Sequence, residues 1–181
     1  MKLSRMVLTS ALLSTSLFSY AGTTNYVEYG FGATKLHSVD SEENKGIAKH
    51  SYGGGAKLLV GGKLSRSAHS WFELGAAYTD GITKGDTTMS TKFLSAGFKF
   101  TTDPRKKIAS FFRLGGGKAF NVTKTKGEVD EKDNSKQYYI GTGISFRLDI
   151  KQAVNFEFQR YGRDDRDQGL NTFFVSFNNL I

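Results

Sequence analysis

The chain has no cysteine, and its single proline is Pro104. Without cysteine there is no disulfide, no thiolate centre and no cysteine-containing zinc site, which fits a chain that passes through an oxidising compartment. Long apolar runs are also scarce. After residue 21 no segment approaches the ~20 apolar residues that a membrane-spanning helix requires. What the chain has in abundance is glycine, 21 residues, and aromatic side chains, 13% of a total of 181 residues, enough for one domain.

The amino terminus is built differently. Lys2 and Arg5 make a positive start, Met6 to Phe18 is apolar apart from threonine and serine, and Ser19-Tyr20-Ala21 is a small-x-small cleavage site. Residues 1–21 are therefore read as a secretory signal peptide and 22–181 as the mature domain, with 23 basic and 17 acidic residues once Lys2 and Arg5 are removed. A membrane anchor is the competing reading, and the apolar stretch is short for one.

The longest regular pattern lies between Tyr138 and Phe158. Tyr138, Ile140, Thr142, Ile144, Phe146 and Leu148 share one face of a strand, and Tyr139, Gly141, Gly143, Ser145 and Arg147 share the other. Asp149 to Gln152 turn the chain, which returns with Val154, Phe156 and Phe158 opposite Asn155, Glu157 and Gln159. This predicts a hairpin. Its second face carries glycines with single charges, as the inside of a narrow barrel requires, so the bulky face is expected to meet lipid.

The rest of the mature chain repeats the unit. Val27, Tyr29, Phe31 and Ala33 alternate with Glu28, Gly30, Gly32 and Thr34; Tyr52, Gly54, Ala56, Leu58 and Val60 alternate with Gly53, Gly55, Lys57 and Gly61, with Leu59 on the polar face. Phe72, Leu74, Ala76 and Tyr78 oppose Trp71, Glu73, Gly75 and Ala77, and Leu94, Ala96, Phe98 and Phe100 oppose Phe93, Ser95, Gly97 and Lys99. Phe112, Leu114, Gly116 and Phe120 oppose Phe111, Arg113, Gly115, Gly117 and Ala119, and Phe173, Val175 and Phe177 share the outer face of a last strand. Pro104 falls in a turn, where it costs no ladder bond. The sum is an all-β fold, an eight-stranded antiparallel transmembrane barrel, with strands of about 9 to 11 residues. Polar loops are predicted at 38–49, 80–86, 123–136 and 162–169.

Across the mature chain, through stretches such as Tyr26-Val-Glu-Tyr-Gly-Phe-Gly and Tyr139-Ile-Gly-Thr-Gly-Ile-Ser-Phe, this pattern resembles the small outer-membrane barrels of Gram-negative bacteria, the OmpA/OmpX-like group. Within that group it is similar to the accessory colonisation factor A proteins of vibrios. The resemblance implies a location in the cell outer membrane and loops that serve adhesion, colonisation or envelope integrity. One departure is the end of the chain: such barrels usually finish on an aromatic residue, and this one ends Asn178-Asn179-Leu180-Ile181. Either Phe177 takes that role or Ile181 is a tolerated substitute.

Several motifs have blander explanations. Gly53-Gly54-Gly55 and Gly115-Gly116-Gly117 lack the strand-to-helix setting and lysine-serine pair of a phosphate loop. Asp165-x-Asp167-x-Gly169 lacks the remaining calcium ligands, and Asn121-Val122-Thr123 is a sequon only in a eukaryotic secretory context. His37-Ser38, His50-Ser51 and His69-Ser70 put adjacent side chains on opposite faces of a strand, the wrong geometry for a catalytic pair. No enzymatic activity, cofactor, metal or nucleic-acid partner is expected, and the barrel is read as a monomer. The rival reading is a lipid-modifying barrel enzyme, an acyl hydrolase or transferase; a soluble lipocalin-like carrier would need its aromatic face inside.

Two constellations are predicted. Glu28, Glu73 and Glu157 share the inward parity with Lys57, Lys99, Arg113 and Arg147, and buried charges need partners. These seven are expected to form an ion-pair network that plugs the lumen and leaves no large pore. On the outward parity each apolar stripe meets a base, at Lys35, Lys92, Lys118 and Arg160. Placed about 20 Å up an apolar band ~25 Å tall, these four either bind the phosphates of outer-leaflet lipopolysaccharide or merely snorkel into the headgroups.

Overall fold

A computed structural model describes residues 25–38, 52–64, 69–84, 87–103, 106–126, 131–163 and 166–181. It contains eight strands: β1 Asn25–Ser38, β2 Tyr52–Lys63, β3 Ser70–Lys84, β4 Thr87–Thr101, β5 Ile108–Thr125, β6 Glu131–Arg147, β7 Gln152–Arg163 and β8 Arg166–Leu180. Each pairs antiparallel with its neighbour in sequence, and β8 closes on β1 to complete a barrel. The predicted signal peptide lies outside the described residues.

The alternation of side chains runs as periodicity demands. Phe31, Leu94, Leu114, Ile140, Phe158 and Phe173 stand exposed on the outer wall, while Glu28, Lys57, Glu73, Arg113, Asn155 and Glu157 are buried in the interior. Leu59, on the polar parity of β2, is buried inside as well. The β1–β8 ladder closes the ring, and at the end that holds Asn25 and Ile181, Leu180 N donates to the Lys151 carbonyl at 2.7 Å and Ile181 N to the Asn25 carbonyl at 2.9 Å. This is the end of the short turns, the side that transmembrane barrels of bacterial outer membranes direct to the periplasm. Phe177 pairs with Tyr29 and Val154 there, its ring stacked on Tyr29.

Barrel closure sets the tilt. Stepping across hydrogen-bonded partners from Asn25, through Gly62, Phe72, Phe98, Leu114, Ile140, Arg160 and Asn171, the path returns to β1 at Lys35, ten residues further along. A stagger of that size over eight strands corresponds to a tilt of roughly 43°, a rise of about 2.4 Å per residue along the axis and about 3 Å per sideways step. Every residue can then be assigned a level above Asn25.

The strands are longer than the periodicity predicted, 12 to 18 residues against about 9 to 11. Most of three predicted loops is strand. Residues 80–84 extend β3, 123–125 and 131–136 extend β5 and β6, and 162–163 and 166–169 extend β7 and β8. The sequence signal failed because these segments are polar on both faces. A hairpin standing in water still satisfies its backbone across the ladder without an apolar stripe. Beyond Ser38, the predicted loop 38–49 lies outside the described residues.

Among the described residues β3 has no β2 partner beyond Asp80, and β6 has no β7 partner beyond Gln137 on the outer side. Strands β3 to β6 thus continue as a four-stranded sheet that rises roughly 12 Å past the level of Lys35. A register shift between Thr79 and Ile82 marks where β3 leaves the barrel wall.

Candidate functional site

The lumen is filled in layers, and the lowest complete layer is ionic. Arg113, fully buried, reaches three carboxylates: its Nε donates to Glu73 Oε1 at 3.1 Å, its Nη1 to Glu28 Oε1 at 3.1 Å and to Glu157, and its Nη2 to Glu28. Lys57 pairs with Glu28 at 2.9 Å and with Glu157, and Lys99 lies 3.6 Å from Glu28. Three carboxylates face three cations, so the layer is neutral as a unit, which is the condition under which buried charge is tolerable. Glu28 is further held by Asn155 Nδ2 at 2.8 Å and Ser176 Oγ at 2.7 Å. Both donors sit on the inward parity of β7 and β8, and their short polar side chains carry no charge signal that would have singled them out.

Of the seven lumen charges predicted from sequence, the structure brings six together and leaves Arg147 apart. Arg147 lies at the periplasmic end of β6, where its Nε donates to the Asp149 carbonyl at 2.9 Å and its Nη2 to the Ile150 carbonyl at 3.1 Å. Parity placed it on the right face, but its level is below the network, and the turn carbonyls are within reach.

Above the ions comes an aromatic layer. Phe93, Tyr139, Tyr161, Leu170 and Phe174 pack into one buried cluster with Ala119. Phe93 meets Tyr139 and Tyr161 edge-on, at centroid distances of 6.1 and 5.1 Å. Parity placed Phe93 and Tyr139 on the inner face with the glycines and charges, and the structure groups Tyr161, Leu170 and Phe174 with them, because inward glycines leave room for the rings. A Cβ on Gly143 would run into the Phe111 ring, and one on Gly97 or Gly115 into Tyr139. One cation–π contact joins the two layers, Lys57 Nζ lying 4.8 Å from the Phe174 centroid, and below the ions Arg113 lies 4.9 Å from the centroid of Phe111. Together the ionic and aromatic layers fill the lumen with buried side chains.

The outer wall ends in bases. Lys35, Lys92, Lys118 and Arg160 are all exposed on the outward parity. Levels assigned from the stagger put Lys35, Lys92 and Lys118 at roughly 22 to 24 Å above Asn25 and Arg160 lower, at roughly 18 Å. Lys136, which the sequence placed in a loop, belongs to the same row. It is exposed on β6 and pairs directly with Lys118, and Lys118 in turn is diagonal to Lys92 across β4 and β5. Arg160 and Lys35 flank Asn171 in the β7, β8, β1 register. Tyr78 and Tyr138 stand just below the row, at roughly 20 Å, where interfacial aromatics belong.

His69 precedes β3 at the periplasmic end, its carbonyl accepting from Thr101 N at 2.9 Å, and His37 lies near the outer end of β1. His50, Ser51 and Asp165 lie outside the described residues.

No family model and no curated protein matches the sequence. Solved structures do. Neisserial surface protein A is similar over 86% of this chain and 96% of its own, with a TM-score of 0.69 at 11% identity. Ail, the attachment invasion locus protein of Yersinia pestis, is similar over 88% and 99%, with a TM-score of 0.61 at 13% identity. OprG of Pseudomonas aeruginosa is similar over 89% and 96%, with a TM-score of 0.58 at 9% identity. At such identities the likeness is one of fold, and the fold is that of small outer-membrane barrels.

Proposed function

We propose that this protein is exported through the periplasm into the outer membrane of a Gram-negative bacterium and works there as a surface-interaction barrel. Its role is adhesion, colonisation or envelope integrity. The observation that carries this reading is the contrast between a closed lumen and a four-stranded sheet, β3 to β6, projecting beyond the basic row. A barrel whose lumen is packed with side chains and whose wall extends outward presents that wall to a partner. The Ail barrel of Yersinia pestis has been crystallised with the heparin analogue sucrose octasulfate, which supports a host-surface ligand for the projecting part here.

On this reading the chain is a monomer without enzymatic activity, and His37 and His69, at opposite ends of the barrel, share no site. The second partner is the lipid itself: Lys35, Lys92, Lys118 and Arg160, with Lys136 added by the structure, contact the phosphates of outer-leaflet lipopolysaccharide. Two lysines directly opposite each other, as Lys118 and Lys136 are, repel, and an anion between them removes the penalty.

Cells displaying the full chain are compared with cells in which residues 122–132 are replaced by a tight Asn-Gly turn between the partners Asn121 and Asp133, surface level being matched by flow cytometry. Binding to host cells is expected to fall at least several-fold in the shortened variant. Equal binding would reject the projecting sheet as the adhesive element.

A further inference from the structure

We propose that the periplasmic mouth of the barrel is a binding site for a phosphate group. Below the ionic layer lies a cavity of about 90 Å³, lined by Tyr26, Trp71, Lys99, Lys106, Arg147 and Lys151 among others. It opens at the turn end, where Lys106 and Lys151 are exposed. Two of its lining side chains are deeply buried, Trp71 at 6% and Tyr26 at 2% exposure. Neither the Trp71 Nε1 nor the Tyr26 hydroxyl has a hydrogen-bond partner among the described residues. An indole N–H can only donate, so what completes this wall is an acceptor.

The charges of the lining point the same way. Lys99, Lys106, Arg147 and Lys151 are cationic, and Lys63 Nζ lies 5.8 Å from the Trp71 ring centroid. The acidic side chain in the lining is Asp149, whose Oδ1 already accepts from the backbone N–H groups of Lys151 at 2.6 Å and Gln152 at 2.8 Å. Lys99 faces the carboxylates of the ionic layer above, and Lys106 and Lys151 face the opening. The space admits several waters or one tetrahedral oxyanion. A buried indole donor, a phenol and ammonium groups are suited to phosphate oxygens through charge-assisted hydrogen bonds. The phosphate belongs either to the headgroup of an inner-leaflet phospholipid, for which exposed Ile150 and Leu148 offer an apolar approach, or to a free phosphate of the periplasm.

Trp71 is the only tryptophan in the chain, so its emission reports on this cavity alone. The barrel is refolded in a neutral sugar detergent and titrated with inorganic phosphate at constant ionic strength. A saturable change in Trp71 emission is expected, absent when chloride replaces phosphate. In the Lys106→Gln, Lys151→Gln double variant its midpoint rises about tenfold or more, the factor a lost charge-assisted hydrogen bond supplies. Gly54→Ala, on the outer wall where nothing lies within 4 Å of the added carbon, leaves the midpoint unchanged, and the gel shift on boiling establishes that each variant is folded.

The titration is then repeated in phosphatidylglycerol nanodiscs without free phosphate, with the double variant as reference. Emission already at the saturated value, and flat on titration, assigns the site to the lipid headgroup; a titration like that in detergent assigns it to free phosphate. No saturable response in either environment, or an equal response in the folded double variant, overturns the proposal.

Discussion

Lysine occupies two opposed settings in this barrel, and the contrast separates what holds the fold from what meets the surroundings. Inside, Lys57 and Lys99 are buried against three glutamates and an arginine, and their charge is matched within that layer. Outside, Lys35, Lys92, Lys118 and Lys136 stand exposed at the top of an apolar wall. The same side chain is a structural element where its partners are built in and an interfacial one where they are supplied by the membrane. Removing an inner charge strands its neighbours, whereas removing an outer one alters an equilibrium with lipid.

The largest effect on that comparison is expected from Arg113→Ala. It leaves Glu28, Glu73 and Glu157 without the guanidinium they share, and breaking a buried pair from one side costs about 3 to 5 kcal/mol. Urea unfolding in detergent, followed by loss of the gel shift, should show a midpoint well below that of the parent. A variant as stable as the parent would mean that the layer is not what holds the lumen.

Gly141→Ala adds no charge and removes none, yet it tests the same layer. A Cβ at position 141 would come 2.6 Å from Glu157 Oε1, displacing the carboxylate from Lys57 and Arg113. Overpacking of this kind costs about 1 to 3 kcal/mol, so the unfolding midpoint should fall by less than for Arg113→Ala. Gly54→Ala, where nothing lies within 4 Å of the added carbon, is the matching control and should be close to neutral.

The smallest effect belongs to the outer row. Changing Lys35, Lys92, Lys118 and Arg160 together to Gln should leave stability nearly unchanged in phosphate-free membranes and lower it in membranes containing lipopolysaccharide. Adding Lys136→Gln should enlarge the difference. Equal loss in both membranes would rule out phosphate binding and leave headgroup snorkelling as the explanation.

The sequence by itself determined which wall each side chain faces. Parity is a property of the extended backbone, settled residue by residue, so Glu28, Glu73, Arg113 and Glu157 could be assigned to the interior without any partner strand in view. Level is another matter. Which inward residues meet depends on the stagger with which eight strands close on one another, and that quantity belongs to the whole ring. It put Asn155 and Ser176 beside Glu28, left Arg147 at the turn, drew Lys136 into the outer row and set Arg160 below it. Strand length beyond the membrane was likewise decided by tertiary structure. Where water bathes both faces no apolar stripe marks the strand, and only the pairing of residues 131–136 with 118–123 and of 123–125 with 87–89 makes that polar segment a wall.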